Sequence, residues 1–170
     1  MNIVTILLRL IHIAAGMFWV GGSVMTIGFI QPTANGMGSE GAKFMQRLTG
    51  PSRLPFFMNL AAPLATLAGL TLYWMDSGFR PEWIVTGPGL GFTVGGMAGI
   101  AAFILGVVVM GPTSVQMGAL GKEIQAAGEP PTPAQVSRMQ MLQGRLHQGG
   151  LWGTVLLVVA VAAMSVARYL

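Results

Sequence analysis

Four stretches of this sequence run long and almost without charge: Ile3 to Ile30, Leu54 to Met75, Leu90 to Met110 and Gly150 to Arg168. A bilayer core about 30 Å thick takes about 20 apolar residues of helix to cross. Open strands are not viable in lipid, because each unpaired backbone group there costs several kcal/mol. A small barrel would show alternating segments of about 10 residues, and these runs are longer and do not alternate. The pattern therefore predicts an all-α fold: a transmembrane four-helix bundle forming one integral membrane domain over residues 1–170. The first run follows Met1-Asn2 directly, without a basic leader or a clear cleavage site, and reads as a retained span rather than a signal peptide.

Charge supports this reading. Only 8 % of residues are charged, against about 25 % in a soluble domain. Nine Lys and Arg against five Asp and Glu leave +4, too small and dispersed an excess for a nucleic-acid partner. Lys43, Arg47 and Arg53 fall in the connection 31–53. Lys122, Arg138 and Arg145 fall in 112–149. The short connection 76–89 holds only Arg80, beside Asp76 and Glu82. Basic loops stay in the cytoplasm, so the two large connections are expected inside and both termini outside, across a cell's inner (plasma) membrane. Arg9 and Arg168, at the outer ends of their spans, oppose this weakly. The absence of cysteine excludes disulfides, iron–sulfur clusters and thiolate zinc.

The connections have their own structure. Ser39 to Leu48 reads as a short interfacial helix capped by Ser39, with Lys43 and Arg47 on one side and Phe44 and Leu48 on another. Trp83 in the short connection is a natural interface anchor. Residues 113–149 read as a cytoplasmic helical hairpin: a helix with Met117, Leu120 and Ile124 on one face, a turn at Gly128-Glu129-Pro130-Pro131, then a helix capped by Thr132 with Pro133 at its first position. No proline follows Ala134, so the last helix is expected to run unbroken from Pro133 to Tyr169, with Gly144, Gly149 and Gly150 as its weak points. The two halves show no convincing internal repeat.

Chemistry concentrates in the first span. Thr5, Arg9, His12, Gly16, Trp19, Ser23 and Thr26 recur at spacings of four and three, which is one side of a helix. Lipid cannot satisfy Arg or His, so the stripe is expected to face the bundle or a wet cavity. In the second span Asn59, Ala62, Thr66, Gly69 and Tyr73 share a face, and in the fourth His147, Thr154, Val158, Val161, Ser165 and Arg168 do. Gly91, Gly95 and Gly99 form a doubled GxxxG, with Gly95 and Gly99 expected against another helix.

His12 is the sharpest candidate. A neutral imidazole inside a span can ligate haem iron or copper or relay a proton; the alternative is a histidine satisfied by a neighbouring hydroxyl or carbonyl. Arg9, one turn outward, can clamp a haem propionate or snorkel to headgroups. Met97 and Met164, with Met17, lie near the level of His12 and carry thioethers suited to copper, or are ordinary filling. His147 lies too deep toward the other side to share a metal with His12. No span contains a carboxylate, which disfavours proton pumps and cation transporters.

The stretch His12-Ile13-Ala14-Ala15-Gly16-Met17-Phe18-Trp19-Val20-Gly21-Gly22 resembles the first helix of small bacterial membrane proteins related to the copper-resistance protein D family. The four-span outline, with a long connection before the last span, is similar to relatives in that group. The membrane-bound, haem-associated protoporphyrinogen oxidase family has a similar opening helix. The first resemblance implies copper handling and the second b-type haem, in both cases at His12.

The sequence therefore points to a binding or redox role centred on His12, with haem b ahead of copper. Arg9, Trp19 and Ser23 line the cofactor side, and Met97 and Met164 are candidate metal ligands beside His12. The alternative is a cofactor-free accessory or assembly subunit of a larger membrane complex. Besides the bilayer, the expected partners are a membrane protein or further copies of the chain.

Overall fold

A computed structural model describes residues 2–50 and 52–170, and these are helical apart from short turns and ends. Helix α1 (Ile3–Met25) passes through a π-turn (Thr26–Ile30) into α2 (Gln31–Gly36), and α3 (Gly38–Thr49) follows. Helix α4 (Arg53–Ser77) returns, and α5 (Pro81–Ile84) forms a short turn of helix. Helix α6 (Gly87–Leu105) passes through a second π-turn (Gly106–Met110) into α7 (Gly111–Ala127). Helix α8 (Pro133–Val166) ends in a 3-10 turn (Ala167–Tyr169). Four continuous rods are long and apolar enough to cross a membrane: Ile3–Gly36, Arg53–Ser77, Gly87–Ala127 and Pro133–Tyr169. The chain is a multi-pass integral membrane protein.

The first and third rods continue past Pro32 and Pro112. A proline inside an α-helix has no N–H and clashes with the carbonyl four residues back. Here the turn before each proline widens. The Gln31 N–H donates to the Thr26 carbonyl and the Gly111 N–H to the Gly106 carbonyl, both five residues back. Pro32 and Pro112 then enter at the start of α2 and α7, where no N–H is required. The prolines therefore mark a change of helix winding rather than the end of a helix.

This device occurs twice, 80 residues apart, at Thr26–Ile30 and Gly106–Met110. Each copy is followed by Pro-Thr (Pro32-Thr33, Pro112-Thr113) and five residues after the proline by Met-Gly (Met37-Gly38, Met117-Gly118). Helix α1 packs mainly on α4 and α6 mainly on α8, while the two pairs meet through α4–α6 and α1–α8. The chain is thus two helix pairs running in the same direction.

Small residues make the interfaces. Gly91, Gly95, Ala98 and Ala102 of α6 are buried, as are Gly149, Gly153, Leu157 and Ala160 of α8, and Ala61, Ala65 and Ala68 of α4. In lipid no hydrophobic difference drives helices together, so close backbone approach does. A Cβ at Gly95 would lie 2.7 Å from Met164 Cγ and 3.0 Å from the Ala160 carbonyl oxygen. Gly99 has nothing within 4 Å of that position, so within the chain it does not face another helix closely, contrary to expectation. A period of 3.6 residues carries the contact from 95 to 98 and 102, and 99 rotates away. In α8 the packed face is likewise not the polar one. Val158 and Val161 are about half exposed, Ser165 and Arg168 are exposed, and only Thr154 of that set is turned inward. In α4 Asn59 is exposed.

The hairpin forms where expected. Gly128 takes φ +65° and ends α7, and Thr132 with Gln135 makes a reciprocal cap on α8. Leu120 and Leu142, one on each arm, are buried, and Gln135 Nε2 donates to Glu123 Oε1 at 3.2 Å. Helix α8 runs unbroken through Gly144, Gly149 and Gly150 for 34 residues, about 51 Å. Ser39 does not cap α3; it lies inside the helix, and the corner is turned by Gly38 at φ +60°.

Candidate functional site

The polar stripe of α1 is turned toward the bundle, with one exception. Thr5, His12, Gly16, Trp19, Ser23 and Thr26 are half-buried, while Leu7, Leu10, Ile13 and Met17 between them are exposed. Arg9 is exposed.

His12 docks on α4. Its Nδ1 lies 2.8 Å from the Ala65 carbonyl oxygen. A carbonyl only accepts, so Nδ1 carries the proton, and in neutral His12 the lone pair is on Nε2. The ring lies over Gly69, where a Cβ would be 2.7 Å from Cε1 and 2.9 Å from Nδ1. Any side chain at 69 would displace the imidazole. The ring is about 12–14 Å from the end of the bundle that carries both termini, whether counted along α1 from Ile3 to His12 or along α4 from Ser77 to Gly69. A histidine at that depth is held by one interhelical hydrogen bond and presents its second nitrogen as an acceptor or ligand. Carbonyl-fixed tautomers of this kind are how metal-ligating histidines are oriented.

Trp19 meets Phe103 edge-on at 6.5 Å, so an aromatic pair bridges α1 and α6 across the diagonal of the bundle. On the other interface of α1, a Cβ at Gly150 would lie 2.5 Å from Ile27 Cδ1. One turn along these antiparallel helices, Ser23 and Thr154 come to the same level. The Thr154 hydroxyl oxygen is buried there without a hydrogen-bond partner.

The thioethers do not gather around His12. Met97 is 67 % exposed on the outer face, as is Met17 at 72 %. Met164 lies in the α6–α8 interface against Gly95. Among the described residues, no three His, Cys, Asp or Glu side chains cluster as a metal site would require. His147 is at the opposite end, its Nδ1 3.3 Å from Gln31 Oε1, which ties α8 to α2.

Near the terminal end a second polar link joins the halves. Thr93 Oγ1 donates to the Gly89 carbonyl at 2.7 Å, so the Tyr73 hydroxyl, 2.7 Å from Thr93 Oγ1, is the donor in that pair. Trp83 packs on Tyr73 at 5.4 Å and stacks on Phe92 at 6.4 Å. Spacing puts Tyr73 on the shared face of α4 but does not mark Thr93. A threonine amid glycines in an apolar span is the signal that would have marked it.

Two open cavities of about 500 Å³ each lie along α6 and α8. Comparison with protein-family models, with curated proteins and with solved structures finds no match to this chain.

Proposed function

We propose that His12 is an intramembrane ligand, holding b-type haem rather than copper, in a protein of the inner membrane whose two large connections face the cytoplasm. The observation that carries this reading is the His12 geometry: Nδ1 is committed to the Ala65 carbonyl, and Nε2 remains as the donor atom. The donor set separates the two cofactors. A haem iron is held by as little as one axial histidine, whereas a copper site needs several imidazole or sulfur donors. Met97 faces outward and Met164 lies on Gly95, so the sulfur ligands expected for copper are not assembled with His12. His12 would hold the iron, and Arg9, exposed one turn outward, a propionate. When bound, a haem supplies one-electron chemistry. The resemblance of His12 to Gly22 to haem- and copper-linked families supports the same residue.

A second reading is a cofactor-free accessory subunit, in which the contact of His12 with the Ala65 carbonyl is a structural link between helices. An absorption spectrum and metal analysis of protein expressed with haem and copper available separate the two. The haem reading expects a Soret band that sharpens on reduction and that His12→Ala removes or shifts while the helices stay intact. Copper bound without a Soret band, and lost in the same variant, would favour the metal. Protein free of both would leave His12 a structural residue.

A further inference from the structure

The two cavities along α6 and α8 are one groove with two chemistries. The first, about 500 Å³, lies where the second π-turn meets α7 and is lined by Arg145, Gln148, Gln116 and Thr113. The second, about 510 Å³, continues from it and adds Ala101, Ile104 and Leu156. Leu105, Val108, Val109 and Trp152 wall both. One end therefore offers a guanidinium and two amides, and the other only apolar surface. Arg145 makes no salt bridge among the described residues, where the one ion pair is Lys43–Glu40.

We propose that this groove binds one anionic phospholipid, with its phosphate at Arg145, Gln116 and Gln148 and an acyl chain along Val108, Ile104 and Leu156. Length supports this occupant. From Arg145 to Leu156 the α8 helix rises about 16 Å, and one leaflet of a hydrocarbon core about 30 Å thick is about 15 Å deep. The basic end lies at the side of the bundle carrying the two large connections, where a headgroup would be. Guanidinium and phosphate pair through two parallel hydrogen bonds. The winding change before Pro112 shapes the wall, since Val108 and Val109 are within the π-turn. The groove is separate from His12 and does not depend on what His12 holds.

The test is lipid retention and lipid-dependent thermal stability of the purified protein in detergent. Phosphatidylglycerol, phosphatidylcholine of the same chains, and glycerophosphate without chains are added in parallel, and native mass spectrometry counts bound lipid. The proposal expects one retained anionic lipid and a Tm several degrees higher with phosphatidylglycerol than with either other additive. Arg145→Gln is expected to weaken that lipid about tenfold, a loss of about 1.4 kcal/mol, and Arg145→Lys to restore part of it. Ala101→Trp, which fills the apolar end, is expected to remove binding with Arg145 intact, and Lys122→Gln, a basic residue outside the groove, to leave it unchanged. Should Ala101→Trp fail to fold, Leu156→Phe serves the same purpose. Equal effects of the two lipids, full stabilisation by glycerophosphate alone, or an Arg145→Gln protein that keeps its lipid would each overturn the proposal.

Discussion

At the scale of single residues, His12 and Gly69 form a coupled pair. The imidazole occupies the volume that a side chain at 69 would need, so each residue sets what the other can be. His12→Ala removes one interhelical hydrogen bond, and such bonds in membranes are worth about 0.6 kcal/mol on average and up to about 1.7. The Ala65 carbonyl keeps its helical partner, so no buried acceptor is orphaned. Gly69→Val is expected to cost more than His12→Ala, because it both expels the ring and strains the α1–α4 contact. In His12→Ala the Gly69→Val change is expected to cost clearly less, since the clash is gone. A double-mutant cycle of unfolding in detergent measures the coupling. Additive costs would mean that the ring does not lie over Gly69.

At the scale of elements, the contact of α6 with α8 is a run of absent side chains. Gly95 sits against Met164 and the Ala160 backbone, whereas Gly99 has open space. Gly95→Leu is expected to separate the helices and abolish a folded, monodisperse protein. Gly99→Leu is expected to change stability by no more than about 0.5 kcal/mol, as for a surface substitution. Size-exclusion profiles and thermal unfolding in detergent distinguish them. Disruption by Gly99→Leu alone would place a helix from another copy on that face. Helix α1, the most polar-striped helix, has no buried residue. Its contacts with α4 pass through His12 over Gly69 and Met58 over Gly22.

At the scale of the molecule, two helix pairs lie side by side with their long connections at the same end. That end carries Lys43, Arg47 and Arg53 from one pair and Lys122, Arg138 and Arg145 from the other. Basic residues beside spans are retained in the cytoplasm. Cysteines introduced at Ser114 and Gln135, both exposed or half-exposed positions on the hairpin, are therefore expected to resist a membrane-impermeant reagent applied to intact cells and to label after lysis. Free labelling of both from outside would reverse the orientation and put His12 in the cytoplasmic half of the membrane. It would leave the fold untouched.

The number of spans, the hairpin with its Thr132-Pro133 start, the unbroken last helix and the inward stripe of α1 all follow from local rules. Run length, capping chemistry and the 3.6-residue period are properties of neighbours in sequence, and the chain states them directly. The course of the helices through Pro32 and Pro112 was decided elsewhere, because a proline stops a helix unless the surrounding bundle makes a widened turn worth keeping. The partner of His12 is of the same kind. Nothing near residue 12 names the Ala65 carbonyl or the bare backbone of Gly69, 53 residues and more away. The choice between Gly99 and Ala98 as the contact, and between the polar and the small-residue face of α8, also depended on which surfaces the other helices could reach. Arg145, Gln116 and Trp152 became one groove only when α6, α7 and α8 were packed. In an apolar medium almost every face of a span is equally at home, so the sequence determines that a helix crosses, and tertiary packing decides which side of it meets another.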